Sequence, residues 1–154
     1  MSAGAPFLLR ILLLYASSCV NINTMDKAIA NWIKGSDYDI ASAEAMCKTK
    51  RYVYVVFFCH LSMEKLLKAV VCKVIKKVPP KTHDLLLLTK LSQLEIPKQR
   101  QLLIARLNTV SIPTRYPEDI SKLTRQYAAQ AAQRYLKETK LFLKWLKQAQ
   151  KLKI

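Results

Sequence analysis

Glycine is almost missing from this chain of 154 residues, which has only Gly4 and Gly35. Two glycines cannot supply a GxGxxG turn or a phosphate-cradling P-loop, and they disfavour a fold built on tight β-turns. Acidic residues are scarce too, with 10 Asp and Glu against 26 Lys and Arg. No pair of them stands at a spacing suited to glycoside hydrolysis or a two-metal centre. Histidine occurs twice, at His60 and His83, so any imidazole chemistry must use one of these. With so few imidazole and thiolate donors, neither a metal site nor a bound cofactor is expected. The four cysteines (Cys19, Cys47, Cys59 and Cys72) form no CxxC pair and no zinc-like spacing with the histidines. No serine or cysteine lies in a nucleophile-elbow context.

What remains is a helix-forming, strongly basic chain. Apolar residues make up 51% and charged residues 23%, a balance that folds into a single domain. Leu, Ala, Lys and Gln dominate, and all are good helix formers. A formal charge of +16 attracts polyanions: nucleic acid, nucleotides, an acidic protein or anionic lipid. A solvated basic surface is the plainer alternative. Cys59 and Cys72 fall on one helix, where 13 residues put them roughly 20 Å apart, beyond disulfide reach. They read as small buried side chains in a reducing, cytoplasmic setting.

The first 24 residues, "MSAGAPFLLRILLLYASSCVNINT", superficially resemble a signal peptide. No Lys or Arg precedes the apolar core, however, and Arg10 interrupts it. The apolar run is also short of the ~20 residues needed to span a bilayer. Residues 1–24 are read as an upstream extension or misassigned start, with a cleaved signal or tether as the alternative. No stable membrane association is expected. The domain is placed at residues 25–154.

Helical periodicity then runs the length of the chain. Ala28, Ile29, Trp32, Ile33, Ile40, Ala43 and Met46 share a face of a first helix, from Asp26 to about Lys48. Gly35 and Ser36 weaken this helix without ending it. A second helix, about Arg51 to Lys77, is apolar nearly all round in its first half and is therefore buried on most sides, in a bundle centre or a dimer interface. "VPPK" stops it. Thr82 is placed as N-cap of a short helix over "HDLLLLTKLSQ". Pro97 opens a fourth helix through "KQRQLLIARLNTV", and "SIPTRYPED", with two prolines, is placed as a loop. One long helix, about Ser121 to Lys151, closes the chain. On it Lys137, Lys140, Lys144, Lys147 and Lys151 form a stripe roughly 80° wide, either a solvated face or a phosphate-tracking ridge. The fold class is an all-α, up-and-down bundle of about five helices.

Within the central helix, "FFCHLSMEKLLKAVV" sets His60, Glu64 and Lys68 one turn apart, with Lys65 beside them. Glu64 and Lys68 are oriented as a favourable ion pair. A polar seam in an apolar helix needs partners. The candidates are Asp39 of the first helix, His83 in "PPKTHDL", and Arg115 or Tyr116 in "TRYP".

Trp32 followed seven residues on by Asp39, then "CHLSMEKLLKA", "KTHDL" and "TRYP", in that order, resemble the HEPN domain family, the prokaryotic and eukaryotic nucleotide-binding helical domain. The resemblance runs from Met25 to the C-terminus. It implies an all-α bundle that forms a homodimer, partnership with a minimal nucleotidyltransferase, and a role in nucleotide or RNA transactions. Two departures stand out. Leu61 follows His60 where many members carry Gln. The R-x4–6-H motif of the ribonuclease members is also absent: Val55, Tyr54 and Val53 precede His60 at the relevant positions, and Val78, Lys77 and Lys76 precede His83. Arg51 lies nine residues before His60, too far to match.

The resulting expectation is a non-catalytic module that binds nucleotide or RNA phosphate. Lys65, Lys68, Lys81, Arg115 and Tyr116 are the candidate contacts, organised by Asp39, His60, Glu64, His83 and Asp84. Arginine suits phosphate because its planar fork donates two bonds at once, whereas lysine acts as a point charge. A purely structural dimerisation subunit is one alternative. A divergent ribonuclease or toxin using His60 or His83 with Arg115 is another.

Overall fold

The computed structural model describes residues 22–152, and the readings made above for residues 1–21 lie outside the described residues. Six helices follow one another: α1 (Ile22–Lys48), α2 (Tyr52–Ile75), α3 (Leu85–Leu91), α4 (Lys98–Arg115), α5 (Ile120–Gln126) and α6 (Ala129–Ala149). No strand occurs among the described residues, and none of their helices is long and apolar enough to cross a membrane.

The bundle is organised around α2, which packs against every other helix. Its side chains explain this, since Val55, Val56, Cys59, Met63, Leu66, Leu67, Val70 and Val71 are wholly buried around its circumference. Burial of that kind removes apolar surface from water on all sides of one rod, so the others must surround it. Burial also pushes the Cys59 thiol up to about 12, which keeps it protonated and inert.

The longest contact is between α1 and α2. Ser36 meets Ser62, and Met25 meets Cys72 with the sulfurs 3.3 Å apart, so the two helices run antiparallel. Small residues allow their backbones to approach. Ser36 Oγ donates to the Ser62 carbonyl at 2.8 Å, and Ser62 Oγ donates to the Ser36 carbonyl at 2.8 Å. Both side chains are fully buried, so each hydroxyl satisfies the other helix rather than water. Next to Ser36, Gly35 leaves room for the Lys65 stem, which a Cβ would approach to 3.0 Å.

Three boundaries differ from the periodicity. Asp84, rather than Thr82, caps α3: its Oδ1 accepts from the amides of Leu86 (2.9 Å) and Leu87 (3.1 Å). Thr82 acts just upstream, accepting from the Asp84 amide at 3.1 Å. Second, "SIPTR" is not loop, because α4 continues through Pro113 to Arg115. A proline in the last turn removes one helical N–H and leaves only the exposed Thr109 without its helical donor. Thr114 Oγ1 donates to the Val110 carbonyl at 2.6 Å in the same turn. Third, the closing helix is two helices. Asp119 caps α5 by accepting from the Lys122 amide, and the chain breaks at Tyr127 and Ala128. Tyr127 is buried edge-on against Tyr135, their ring centroids 6.2 Å apart, so packing rather than a breaker residue makes this bend.

The lysine stripe of α6 is divided. Lys140 pairs with Glu44 and Lys147 with Asp37, both acids on α1, while Lys137, Lys144 and Lys151 face solvent.

The serine pair makes the α1–α2 spacing testable. Ser36→Leu is expected to overpack the contact and destabilise the fold by about 1–3 kcal/mol. Ala41→Leu, on the exposed face of the same helix, should shift the urea midpoint little. Urea unfolding of the two variants beside the parent measures the difference.

Candidate functional site

The site is built on one carboxylate. Glu64 is 4% exposed, and four nitrogens approach it. Lys68 Nζ stands 2.7 Å from Oε1, and His83 Nδ1 stands 2.9 Å from Oε2. Arg115 Nη2 and His60 Nε2 reach Oε2 at 3.4 Å and 3.5 Å. Lys68 and His60 come from Glu64's own helix, one turn on either side. His83 lies in the segment before α3, and Arg115 ends α4. Three separated stretches of chain therefore converge on one group.

Hydrogen-bond chemistry fixes the roles of the two rings. The Leu107 carbonyl can only accept, so His60 Nδ1–H donates to it at 3.1 Å. His60 Nε2 then faces Glu64. The ring is wholly buried between α2 and α4, out of reach of any dissolved substrate. His83 is the opposite case. Its Nδ1–H donates to Glu64, which leaves Nε2 as the outer nitrogen of a side chain 62% exposed. Arg115 Nη2 also lies 3.2 Å from His83 Nδ1, but a nitrogen donating to Glu64 cannot accept from Arg115. The carboxylate is the partner that both donors share.

Charges and packing hold the remaining members. Lys68 is 6% exposed, and its ammonium lies 5.2 Å from the centre of the Trp32 ring on α1. The Arg115 guanidinium lies 5.8 Å from the centre of the Phe57 ring. Aromatic faces attract cations and replace part of their lost hydration. Burial alone would raise the Glu64 pKa. The close approach of His60, the hydrogen bonds from Lys68 and His83, and the charge of Lys68 outweigh it and hold the group at about 2. Asp39 goes the other way: burial outweighs the Lys65 contact, and the nearby Glu64 charge adds to the rise. Lys65 Nζ is 2.7 Å from Asp39 Oδ2 in a separate ion pair, close but not aligned as a directed hydrogen bond.

A cleft of about 390 Å³ opens beside this cluster, lined by His83, Asp84, Asn108, Ser111, Ile112, Arg115 and Tyr116. Small-molecule clefts span ~300–1,000 Å³. Asn108 Oδ1 accepts from the Leu85 amide at 2.7 Å and ties α4 to the start of α3. Among the residues named from sequence, His60, Glu64, Lys68, His83 and Arg115 form the cluster. Asp39 and Lys65 form the neighbouring pair, Asp84 caps α3 at the cleft edge, and Tyr116 stands 75% exposed at the rim. Lys81 is exposed and makes no hydrogen bond or ion pair with the cluster.

Sequence reasoning missed the Leu107 carbonyl, Asn108, Ser111 and Phe57. A backbone oxygen has no sequence signal, and the other three are ordinary residues whose importance comes from facing His83 or Arg115. Trp32 entered as an apolar position of the first helix and as a motif residue, and its place over Lys68 is a result of the packing. Among the described residues no group of three or more His, Cys, Asp or Glu is placed to hold a metal ion.

The family model for the HEPN domain matches residues 29–149. The chain belongs to the HEPN domain family. A crystal structure of TT1696 from Thermus thermophilus shares the fold, with a TM-score of 0.67 and 21% identity. The match covers 78% of this chain and 96% of that one. No curated protein gives a significant match. The HEPN match includes Trp32, Asp39, the Glu64 cluster and Arg115, so the residues that carried the resemblance are those the bundle brings together.

The depressed Glu64 pKa sets an acid limb of stability. Because the folded value lies below the ordinary 4.5, the contribution of Glu64 is fully present above 4.5 and is lost as pH falls through about 2. Asp39, raised from 3.8, works in the opposite sense, gaining as pH falls. Glu64→Gln should destabilise the protein at pH 7 by about 3 kcal/mol, since buried cations lose their counter-charge. It should also flatten the profile between pH 4.5 and 2, measured by urea unfolding across that range.

Proposed function

We propose that this HEPN protein binds the phosphate of a nucleotide or RNA in the cleft between His83 and Arg115, without cleaving it. The observation that carries the reading is the imbalance around Glu64. Two permanent cations, Lys68 and Arg115, share one buried carboxylate, and only Lys68 is itself buried away. Arg115 has five N–H donors, of which the contact with Glu64 uses Nη2 alone. The rest of its fork, with the outer nitrogen of His83, lines an open cleft. Tyr116 and Ile112, 75% and 70% exposed at the rim, offer a surface for a base or ribose. Lys68 and Glu64 hold the cluster rather than touch the ligand. Lys65 and the exposed Lys81 add positive potential around it. The same reading includes a homodimer and a minimal nucleotidyltransferase as partner, both supported by family membership.

One observation favours a second reading, a divergent ribonuclease. A carboxylate that orients Nδ1–H and leaves Nε2 outward is also the arrangement of a general acid or base. Here His83 is the only candidate, because His60 is sealed in the core.

Titration calorimetry with ATP, inorganic phosphate and a uridine decamer at low salt tests both readings. Micromolar or weaker binding is expected, lost on Arg115→Ala and weakened by added salt. No heat with any of the three would reject phosphate binding and leave the cluster a structural seam. RNA cleavage abolished by His83→Ala would replace the binding reading with the catalytic one.

A further inference from the structure

A second surface shares no residue with that cleft. Between α4 and α6 runs a groove of about 670 Å³ with an aliphatic floor that includes Leu102, Leu103 and Leu141. Leu102 is 61% and Leu141 57% exposed, unusual for large aliphatic side chains standing together. Arg100, Arg106 and Arg134 line the same groove. A further hollow of about 510 Å³ continues it past Arg106 and Arg134 toward Tyr127.

The arginines are fixed before anything binds. Arg106 and Arg134 both pair with Glu138, Arg134 Nε at 2.8 Å from its Oε1. The Arg106 guanidinium lies 5.7 Å from the centre of the Tyr135 ring, and that of Arg100 lies 4.8 Å from the centre of the Trp145 ring. Three cations thus stand along an apolar trough against a single acid, itself engaged by two of them. From this we infer that the groove docks an acidic amphipathic helix of a partner protein.

The alternatives fit less well. Single-stranded nucleic acid needs free aromatic faces for base stacking. Here the Tyr135 and Trp145 faces are covered by arginine, and the exposed floor is leucine. A homodimer built on this groove would set its three arginines against the same three arginines of the second copy, so the proposed homodimer is better formed elsewhere on the chain. An acidic helix satisfies both features at once. Leucines at i, i+3, i+4 and i+7 enter the trough, and flanking glutamates meet the arginine rim. The groove runs along α4 from Gln99 to Arg106 and along α6 from Arg134 to Phe142, about two turns of each, which matches the reach of an i to i+7 leucine face.

The test is fluorescence anisotropy with a labelled helical peptide of about 18 residues, leucine at i, i+3, i+4 and i+7 and glutamate at most other positions. A peptide of identical composition with scrambled leucine spacing controls for charge alone. The amphipathic peptide should bind at least about tenfold more tightly than the scrambled one. Leu102→Asp with Leu141→Asp should abolish that preference. Lys48→Gln with Lys50→Gln, which removes the same net charge at the α1–α2 turn, should preserve it. Circular dichroism confirms the fold of each variant. Equal binding of both peptides would overturn the inference, as would displacement by a uridine decamer. A lower mass for the Leu102/Leu141 variant by light scattering would do so too, since it would mean that a second copy covers the groove.

Discussion

A carboxylate buried in an apolar helix has to be matched by positive charge, and the architecture follows from that requirement at Glu64. Left alone, a buried charge of this kind costs several kcal/mol. The bundle answers with an ammonium, a guanidinium and two imidazoles drawn from three stretches of chain. Each recruit then needs support of its own. Lys68 sits against Trp32, Arg115 against Phe57, and His60 donates onward to the Leu107 carbonyl. The positions of α1, α3 and α4 around α2 are therefore coupled through one side chain. The same coupling leaves His83 exposed and Arg115 at the edge of the cleft, with only its Nη2 engaged by Glu64.

Much of this was legible in the residues. Periodicity of 3.6 placed the helices, and the all-round apolar character of "YVYVVFF" marked α2 as buried in a bundle centre or a dimer interface, of which the fold shows the first. The spacing of His60, Glu64 and Lys68 identified the seam, and the shortage of other polar groups in that helix narrowed its partners to Asp39, His83, Arg115 and Tyr116. Three of these lie at or beside Glu64, and Tyr116 stands at the rim of the adjoining cleft. What was not legible came from tertiary packing. Nothing local in "RQYAAQA" marks a break, because the bend arises from burying Tyr127. Two prolines suggested a loop over "SIPTRYPED", but the first falls in a last helical turn where its missing N–H matters little. Spacing along α2 gave the Glu64–Lys68 pair, but it does not reveal that Lys65 turns to Asp39, which lies on α1.

The helix α4 has an unusual share of the outcome. Its final turns supply Asn108, Ser111 and Arg115 to the cleft, and its opening turns supply Arg100, Leu102 and Arg106 to the groove. The groove is basic, with three arginines to one glutamate, whereas the cleft sets Arg115 against Asp84. They also differ in what they leave open. In the cleft, part of a guanidinium is uncommitted; in the groove, the guanidiniums are committed and the leucines are bare. Net charge favours anions in general, and in the two proposed readings the local arrangement is what separates a phosphate from a peptide.

The distance along the chain at which Glu64 finds its partners also says something about the order of folding. His60 and Lys68 arrive with the first turns of α2, but His83 and Arg115 lie 19 and 51 residues away. Each of these requires a loop to close before its contact stabilises anything. Before α4 docks, Glu64 lacks its Arg115 partner. The last charges to arrive are the ones that line the cleft, so the binding surface is completed only as the core itself is sealed.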